Sequence, residues 1–372
     1  PAEFRRINLV APDGPGPLGQ VVAPFDGPHR ALDVAARHPL WQGAHRGNDG
    51  RWVRGVGLAL VHRSDGFARG GPNAARLALA LAPDGAIELR AGFTELGQNL
   101  VGSLRSLAAR MLGCGEDDVR PVLGDSALTP NSGPVAASRC TTLAWRALVD
   151  HGPAWRDAML ALAAATLEMP IGTLRLGQGG VHAAAHGLCL SYADLARRIG
   201  PERLPAAVID LSPEETPSAI DGAHYVFGAC AALAQVAVDT WTGQVRVEKM
   251  VVVTALGPVA SPQGLLGQME GGALIGQGLA TTENLALRDG RYLARNFDGY
   301  LLPTLADAAA TEVIAIENLP EGDRVGPRGA GEIGVNIAVP AVANAVSAAI
   351  GMPVDSLPIA PDAVLDFLER NE

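Results

Sequence analysis

The chain has 372 residues, 48% of them apolar and 18% charged, with a formal net charge of −10. A chain of this size and apolarity can bury a substantial core and is not a disordered segment. Its acidity, with no run of Lys or Arg longer than two, argues against nucleic acid or an anionic membrane as a partner. The four cysteines, Cys114, Cys140, Cys189 and Cys230, lie too far apart for a metal knuckle and are too few for a disulfide scaffold. No unbroken apolar run reaches the ~18 residues of a membrane span, and Pro1-Ala2-Glu3-Phe4-Arg5-Arg6 is no signal peptide, so a cytoplasmic location is expected. The opening reads either as a start that has lost its initiator Met or as a cut within a longer polypeptide.

In chain order, residues 1–9 predict a short helix, followed by a Pro/Gly-rich loop and a helix over 29–41. Val53, Val56, Leu58 and Leu60 predict a strand over 51–62, and the loop over 63–73 carries Phe67. Strands over 76–82 and 86–92 flank Asp84-Gly85, a strong hairpin signal. The chain then passes through Thr94-Glu95-Leu96-Gly97-Gln98 into a helix with a stripe at Leu100, Leu104, Leu107 and Leu112. A strand over 118–123 and a Pro/Gly loop lead to a long helical region reaching Leu167, with a break expected near Gly152-Pro153. Strands at 173–176 and 187–190 and a helix at 192–199 close a first lobe. The segment 212–222 is the expected boundary. The second lobe opens with apolar strands over 230–240 and 244–255. A Gly-rich helix at 264–278, a strand at 311–317 and helices at 339–350 and 361–370 follow. Strands with single helices in two lobes predict an α+β fold: a connecting segment over 1–41, a first lobe over 42–216 and a second over 217–372.

One stretch stands out, Gly326-Pro327-Arg328-Gly329-Ala330-Gly331-Glu332-Ile333-Gly334, which sets a single carboxylate among glycines just ahead of an Ala/Val-rich helix. Glycine lets backbone approach a ligand closely. A Glu held on such a turn is either a positioned general base or a charge favoured by the helix dipole. Gly329, Gly331 and Gly334 also spell the dinucleotide fingerprint, but that motif needs a strand running directly into the glycines. Here a polar loop with Pro320, Gly322 and Asp323 intervenes, so the dinucleotide reading is rejected. Three other loops share a theme: Gly97-Gln98, Ala136-Ala137-Ser138-Arg139 and Gly267-Gln268 each lie at or near the start of a helix. Free backbone N–H groups there make a ready anion site, and glutamine adds both a donor and acceptors. Together they could hold a large anionic, heteroatom-rich group without lysine clamps. Each alone reads more simply as an ordinary helix start, with Ser138 as N-cap.

Taken in order, Thr94-Glu95-Leu96-Gly97-Gln98, Gly133-Pro134-Val135-Ala136-Ala137-Ser138-Arg139, Gly267-Gln268-Met269-Glu270-Gly271 and Gly329-Ala330-Gly331-Glu332 carry a resemblance. The chain resembles, over most of its length, the molybdenum-binding subunit of the xanthine dehydrogenase family of molybdenum hydroxylases. The resemblance implies a two-lobed α+β molybdenum-cofactor-binding domain of the xanthine dehydrogenase/aldehyde oxidase type. It implies molybdopterin, or molybdopterin cytosine dinucleotide, holding the molybdenum through its dithiolene with no protein side chain as ligand. Gln98, with Gly97 beside it, and Gln268 match the residues that hydrogen-bond the pterin or a metal oxo ligand. Ala136, Ala137, Ser138 and Arg139, with Cys140 next, match the loop packed against the metal centre and cofactor tail. Glu332 matches the glutamate beside the metal that acts as base. Phe67 falls where the family places an aromatic against the substrate ring, and Ala68 where xanthine-specific members have Thr.

The same resemblance implies a multi-subunit complex, with 2Fe-2S centres on an iron–sulfur subunit and FAD on a flavin subunit. The chain also departs from the family. A complete molybdenum subunit is about twice this long, and its Gly-Gly-Phe-Gly-Gly-Lys-type and Arg-Gly-Phe-Gly-type loops are missing here. Ile333 follows Glu332 where the family often has Pro. The chain therefore looks like the second half of a split molybdenum subunit, as in nicotinate dehydrogenase-like enzymes, and would need the other half to complete its site. The expected activity is hydroxylation of an N-heteroaromatic small molecule, purine- or nicotinate-like, with water as the oxygen source. The alternatives are an aldehyde oxidoreductase of the same family and a non-catalytic half-subunit serving as scaffold. Glu95 and Glu270 are expected to be structural partners at helix starts.

Overall fold

The computed structural model describes residues 1–43, 47–71, 74–184, 186–211, 219–323 and 325–371. Helices α1 (Ala2–Asn8), α2 (Gly27–Arg37) and the single turn α3 (Pro39–Gln42) precede a long strand, β1 (Trp52–Asp65). The Asp84-Gly85 turn joins β2 (Ala75–Leu81) to β3 (Ile87–Ala91), and α4 (Leu100–Leu112) and β4 (Val119–Leu123) follow. Helix α5 (Cys140–Leu167) runs unbroken through Pro153, so the break expected there does not occur. Strands β5 (Leu174–Gly177), β6 (Gly180–Ala183) and β7 (Gly187–Ser191) make a small antiparallel sheet, followed by α6 (Tyr192–Ile199) and β8 (Ala206–Leu211). The rest comprises β9 (Val226–Asp239), β10 (Val245–Ala255), α7 (Pro262–Thr281), the small hairpin β11 (Leu287–Arg288) and β12 (Arg291–Tyr292), β13 (Ala310–Ile316), α8 (Ile333–Ile350) and α9 (Pro361–Asn371). Strands β6 and β8 and the two-residue strands β11 and β12 are not anticipated by the sequence pattern.

Two four-stranded sheets organise these elements, one in order β4-β3-β2-β8 and one in order β1-β9-β10-β13. The first packs against α4 and α5, with Phe93, Leu104, Leu107 and Met159 wholly buried between them. The second is covered on both faces, and its central strand β9 divides its side chains by strict alternation. Ala229, Ala231 and Leu233 meet Leu32 and Ala35 of α2, while Cys230, Ala232, Ala234 and Val236 meet α7 and α8. A strand buried on both faces reads as a continuous apolar run, which is how β9 appears in the sequence. The mixture of pairings, mostly antiparallel with β3–β4 and β10–β13 parallel, bears out the α+β class.

One allocation differs from expectation. Strand β1, read as part of the first lobe, pairs antiparallel with β9 along its whole length, from Trp52 opposite Asp239 to Asp65 opposite Val226. It is thus the edge strand of the second sheet. The first sheet is instead completed by β8, which pairs with β2. The alternation in β1 predicts a strand but says nothing of its partner. Its glycines do: Gly55 and Gly57 lie directly under α8, where a Cβ on Gly57 would stand 2.2 Å from Ala341 O and Ala345 N. Most of the expected boundary, residues 212–218, lies outside the described residues.

Helix α8 begins at Ile333, six residues before the expected start, and takes Pro340 into its interior. Glu332 is therefore its N-cap residue. The helix has 18 residues with a mean hydropathy of 1.7, long and apolar enough to cross a membrane, but it lies against β1, β9 and α7 with half its length buried. Its contact with α7 is made by glycines. A Cβ on Gly272 would sit 2.9 Å from the Gly334 backbone, and one on Gly276 would sit 2.5 Å from Ala338 Cβ. Adjacent Gly271 meets nothing within 4 Å. Alanine at these neighbours should therefore act with opposite sign. Gly271→Ala should stabilise by ~0.5–1 kcal/mol through helix propensity, whereas Gly272→Ala should destabilise by ~1–3 kcal/mol through overpacking. Urea unfolding of the two variants checks both signs.

Candidate functional site

A cavity of about 300 Å³ opens where the two lobes meet. Four helices begin at its wall: Leu100 of α4, Cys140 and Thr141 of α5, Gly264 and Leu265 of α7, and Glu332 at the head of α8. Two of these starts are satisfied from within. The Glu95 carboxylate accepts from Val101 N (2.9 Å) at α4, and Ser261 Oγ accepts from Gly264 N (3.1 Å) at α7. The heads of α5 and α8 have no side-chain cap. First-turn N–H groups left free beside a cavity favour an anionic guest, both as donors and through the helix dipole.

Glu332 stands at this mouth with its side chain half exposed. Its Oε2 accepts a hydrogen bond from Ser138 Oγ at 2.7 Å and is also in ionic contact with the Arg63 guanidinium. Two partners on one oxygen fix the carboxylate plane, and Oε1 forms no hydrogen bond among the described residues. Ser138 is placed by an unusual backbone. Ala137 and Ser138 both hold positive φ, 55° and 56°, a conformation that costs non-glycine residues on the order of 1–2 kcal/mol each. The loop is locked behind them, because Ala137 O accepts from Gly66 N at 2.8 Å.

Behind Glu332 lies a buried polar clamp that the sequence does not announce. Asp65, the last residue of β1, accepts from Gly329 N (2.7 Å) through Oδ2, and the single hydroxyl proton of Thr142 is shared between that oxygen (Oγ1 at 3.1 Å) and the closer Pro327 O (2.8 Å). One carboxylate thus ties β1, the first turn of α5 and the Glu332 loop together. Asp65 Oδ1 is buried with no hydrogen-bond partner among the described residues, and burial pushes the Asp65 carboxyl up to about 6 despite those two donors and the nearby Arg328 and Arg63 charges. Upstream, Arg328 and Asp323 form a fully buried ion pair (2.6 Å), and Asp323 Oδ1 accepts from Val325 N and Gly326 N. The pair staples the turn that leads into the glycines.

Of the residues predicted for the site, Gln98, Ala136, Ser138, Cys140, Gln268 and Glu332 line the one cavity. Gly331 bridges two of them, since its Cβ position lies 3.7 Å from Ser138 Oγ and 4.0 Å from Gln268 Oε1. Gly97, exposed at φ 97°, is not in the cavity wall, and the Gln98 amide closes on its own turn, with Leu96 N and Thr94 O as partners. Gln268 is two turns inside α7 rather than at its start, and reaches the cavity along the helix flank. Arg139 points away: its buried guanidinium donates to Ser132 O (2.6 Å) and Pro134 O (3.1 Å), bracing the loop from inside. Phe67 lies against that guanidinium, 5.6 Å from its centre, and neither Phe67 nor Ala68 is in the cavity wall. Glu95 supports a helix start as expected, whereas Glu270 is exposed in the middle of α7. Burial pushes the Cys140 thiol up to about 11, so it is protonated at neutral pH. Arg63, Asp65, Thr142 and the Arg328–Asp323 pair are what sequence reading missed. A charged residue at a strand end carries no signal of its burial.

Fold and cavity together define a protein with a site suited to an anionic, heteroatom-rich group at the heads of its helices. The model of the molybdopterin cofactor-binding domain family matches residues 30–309, and the chain belongs to this family, in the xanthine dehydrogenase group of molybdenum enzymes. It is 35% identical over its whole length to a probable xanthine dehydrogenase subunit from Bacillus subtilis (strain 168), covering 49% of that protein. It is 28% identical over 86% of its length to PaoC, the aldehyde oxidoreductase molybdenum-binding subunit of Escherichia coli O157:H7, covering 41% of that protein. The crystal structure of quinoline 2-oxidoreductase from Pseudomonas putida 86 superposes with a TM-score of 0.78 at 21% identity, covering all of this chain and 49% of the other. The chain spans about half the length of the curated relatives it matches. The donor set fits a pterin-borne metal. Uncapped helix heads and glutamine amides suit an anionic, heteroatom-rich group, and no described cluster of His, Cys, Asp or Glu offers metal ligands of its own.

The Asp65 clamp makes a stability prediction whose sign follows from linkage. A carboxyl raised to about 6 by folding contributes stability that is fully present below its unfolded value near 4 and is lost as pH rises through 6. Asp65→Asn keeps an acceptor for Gly329 N but removes the titration. From pH 4 to pH 7.5, the wild type should therefore lose on the order of 2–3 kcal/mol relative to Asp65→Asn. Urea unfolding of both proteins at the two pH values tests it; a difference independent of pH would contradict the assignment.

Proposed function

We propose that the chain supplies one wall of the active site of a molybdenum hydroxylase, with Glu332 as general base. The observation that carries this reading is the carboxylate held by Ser138 and Arg63 at the rim of a cavity where α5 and α8 begin uncapped. When bound, the molybdenum–pterin group supplies the oxygen- and electron-transfer chemistry. The protein's part is to bind, orient and move a proton. Backbone N–H groups at the heads of α5 and α8, with Gln98 and Gln268, hold the cofactor. Ser138 and Arg63 fix Glu332 Oε2, which leaves Oε1 to take the proton released as the substrate carbon is hydroxylated. A base fixed in orientation before the substrate arrives needs no reorganisation during the reaction.

The substrate in this reading is an N-heteroaromatic small molecule, purine- or nicotinate-like, supported by the xanthine dehydrogenase name of the Bacillus relative. The aldehyde oxidoreductase name of the Escherichia relative favours an aldehyde as the second reading. The electrons leave through 2Fe-2S centres and FAD on partner chains, since the thiols here are dispersed. The pterin tail is either plain molybdopterin or its cytosine dinucleotide.

The test uses the assembled complex. Glu332→Gln should retain molybdenum and pterin at wild-type levels while hydroxylation of the preferred substrate falls by ~10²–10⁴-fold. Near-normal turnover would remove Glu332 as base. A panel of purines, nicotinate and aromatic aldehydes assigns the substrate class. A metal-free wild-type complex inert on every member would leave the scaffold reading in its place.

A further inference from the structure

Between α7 and β13 the chain makes an excursion over residues 284–308 that packs almost nothing beneath itself. Large apolar side chains stand outward along it: Leu287, Tyr292, Leu293, Leu301, and above all Phe297 and Leu305, which are 76% and 95% exposed. The excursion is nevertheless built. Gln277 Nε2 donates to Asp307 O (2.6 Å), Tyr300 OH donates to Glu283, Asp307 caps Thr304 N (2.8 Å), and β11 pairs with β12. A segment held in one shape with its apolar side chains in water has the form of an interaction surface. Its formal charge is balanced, Arg288, Arg291 and Arg295 against Asp289, Asp298 and Asp307. A neutral apolar surface suits a protein partner and not a polyanion or an anionic lipid surface.

Two facts bear on the occupant. The family match, over residues 30–309, spans the whole excursion. Relatives and solved structures that align with the chain along all of its length carry about as much polypeptide again. We infer that the outward apolar face of residues 284–308 is the docking surface for the complementary half of the molybdenum subunit. This rests on family membership and on the half-length, not on the role given to Glu332.

The experiment co-expresses this chain with the polypeptide carrying the complementary half and reads assembly, not activity. Phe297→Asp combined with Leu305→Asp changes only exposed side chains, so the circular dichroism and melting temperature of the chain should match wild type. Affinity recovery of the other half should fall at least about tenfold, as expected for two central apolar contacts. Recovery equal to wild type would overturn the proposal. A photoreactive phenylalanine analogue at position 297 gives an independent reading in the unmutated complex. Adducts with peptides of the complementary half support the proposal. Adducts with a second copy of this chain or with the iron–sulfur subunit, or none at all, would overturn it.

Discussion

The architecture of the site depends on how closely two loops approach each other across the seam between the lobes. A Cβ on Gly329 would lie 1.7 Å from Ser138 O, so no other residue fits there without parting the loops. That contact lets Gly329 N reach the Asp65 carboxylate and lets Ser138 Oγ reach Glu332. The glycines of 326–334 thus have a stronger reason than turn geometry. They bring a loop of one lobe against the helix head of the other, and only then does the carboxylate have a fixed address. The same logic runs into the core, where Gly272 and Gly334 let α7 and α8 touch and so set Gln268 beside Gly331.

Away from the seam the molecule is filled by Ala, Val and Leu in alternating or helical registers, with few polar groups to satisfy. At the seam the rules are broken together: two non-glycine residues at positive φ, a carboxylate with one oxygen orphaned, and a wholly buried ion pair. Leaving a buried polar atom unpaired costs on the order of 1–3 kcal/mol, and each strained backbone costs a comparable amount. A fold selected for stability alone would not gather these costs in one place. Removing either member of Arg328–Asp323 would strand a charge at a cost of ~3–5 kcal/mol, so the pair is kept once present. Its consequence is a rigid turn that delivers Gly329 to Asp65. Comparable violations occur elsewhere, as at Trp155 Nε1 and Glu168, but at the seam three kinds coincide beside one cavity, as expected of a site whose geometry is set by what it must hold.

The sequence carries the layers more clearly than the joints. The long apolar run of β9 and β10, the stripe on α4 and the glycines of α7 all follow from burial, and burial leaves a periodic trace. Pairing leaves none, which is why β1 reads as a strand of the wrong lobe until its glycines are seen beneath α8. The start of α8 is hidden by Pro340, which in isolation marks a first turn but here sits eight residues into the helix. For the site, the ordered loops identify Gln98, Ser138, Gln268 and Glu332 as neighbours, because each motif is local in sequence. Side-chain direction is not local. Arg139 turns inward to its own loop and takes Phe67 with it, while Arg63 and Asp65, two positions apart at a strand end, supply the contacts that orient Glu332 and its loop.

In the proposed role of general base, Glu332 would gain from exclusion of water, which the described residues alone do not provide. Glu332 is half exposed at the rim of a cavity lined by helix heads of both lobes. The chain also matches half of each longer relative. The buried clamp explains how half a site can keep its shape: Asp65, Thr142 and the Arg328–Asp323 pair lie behind the carboxylate, within this chain's own interior, and need no second body to hold them. Position and closure are then separable. The present chain fixes where the acid stands, through contacts it buries itself. A covering wall would change how dry that position is without having to build it.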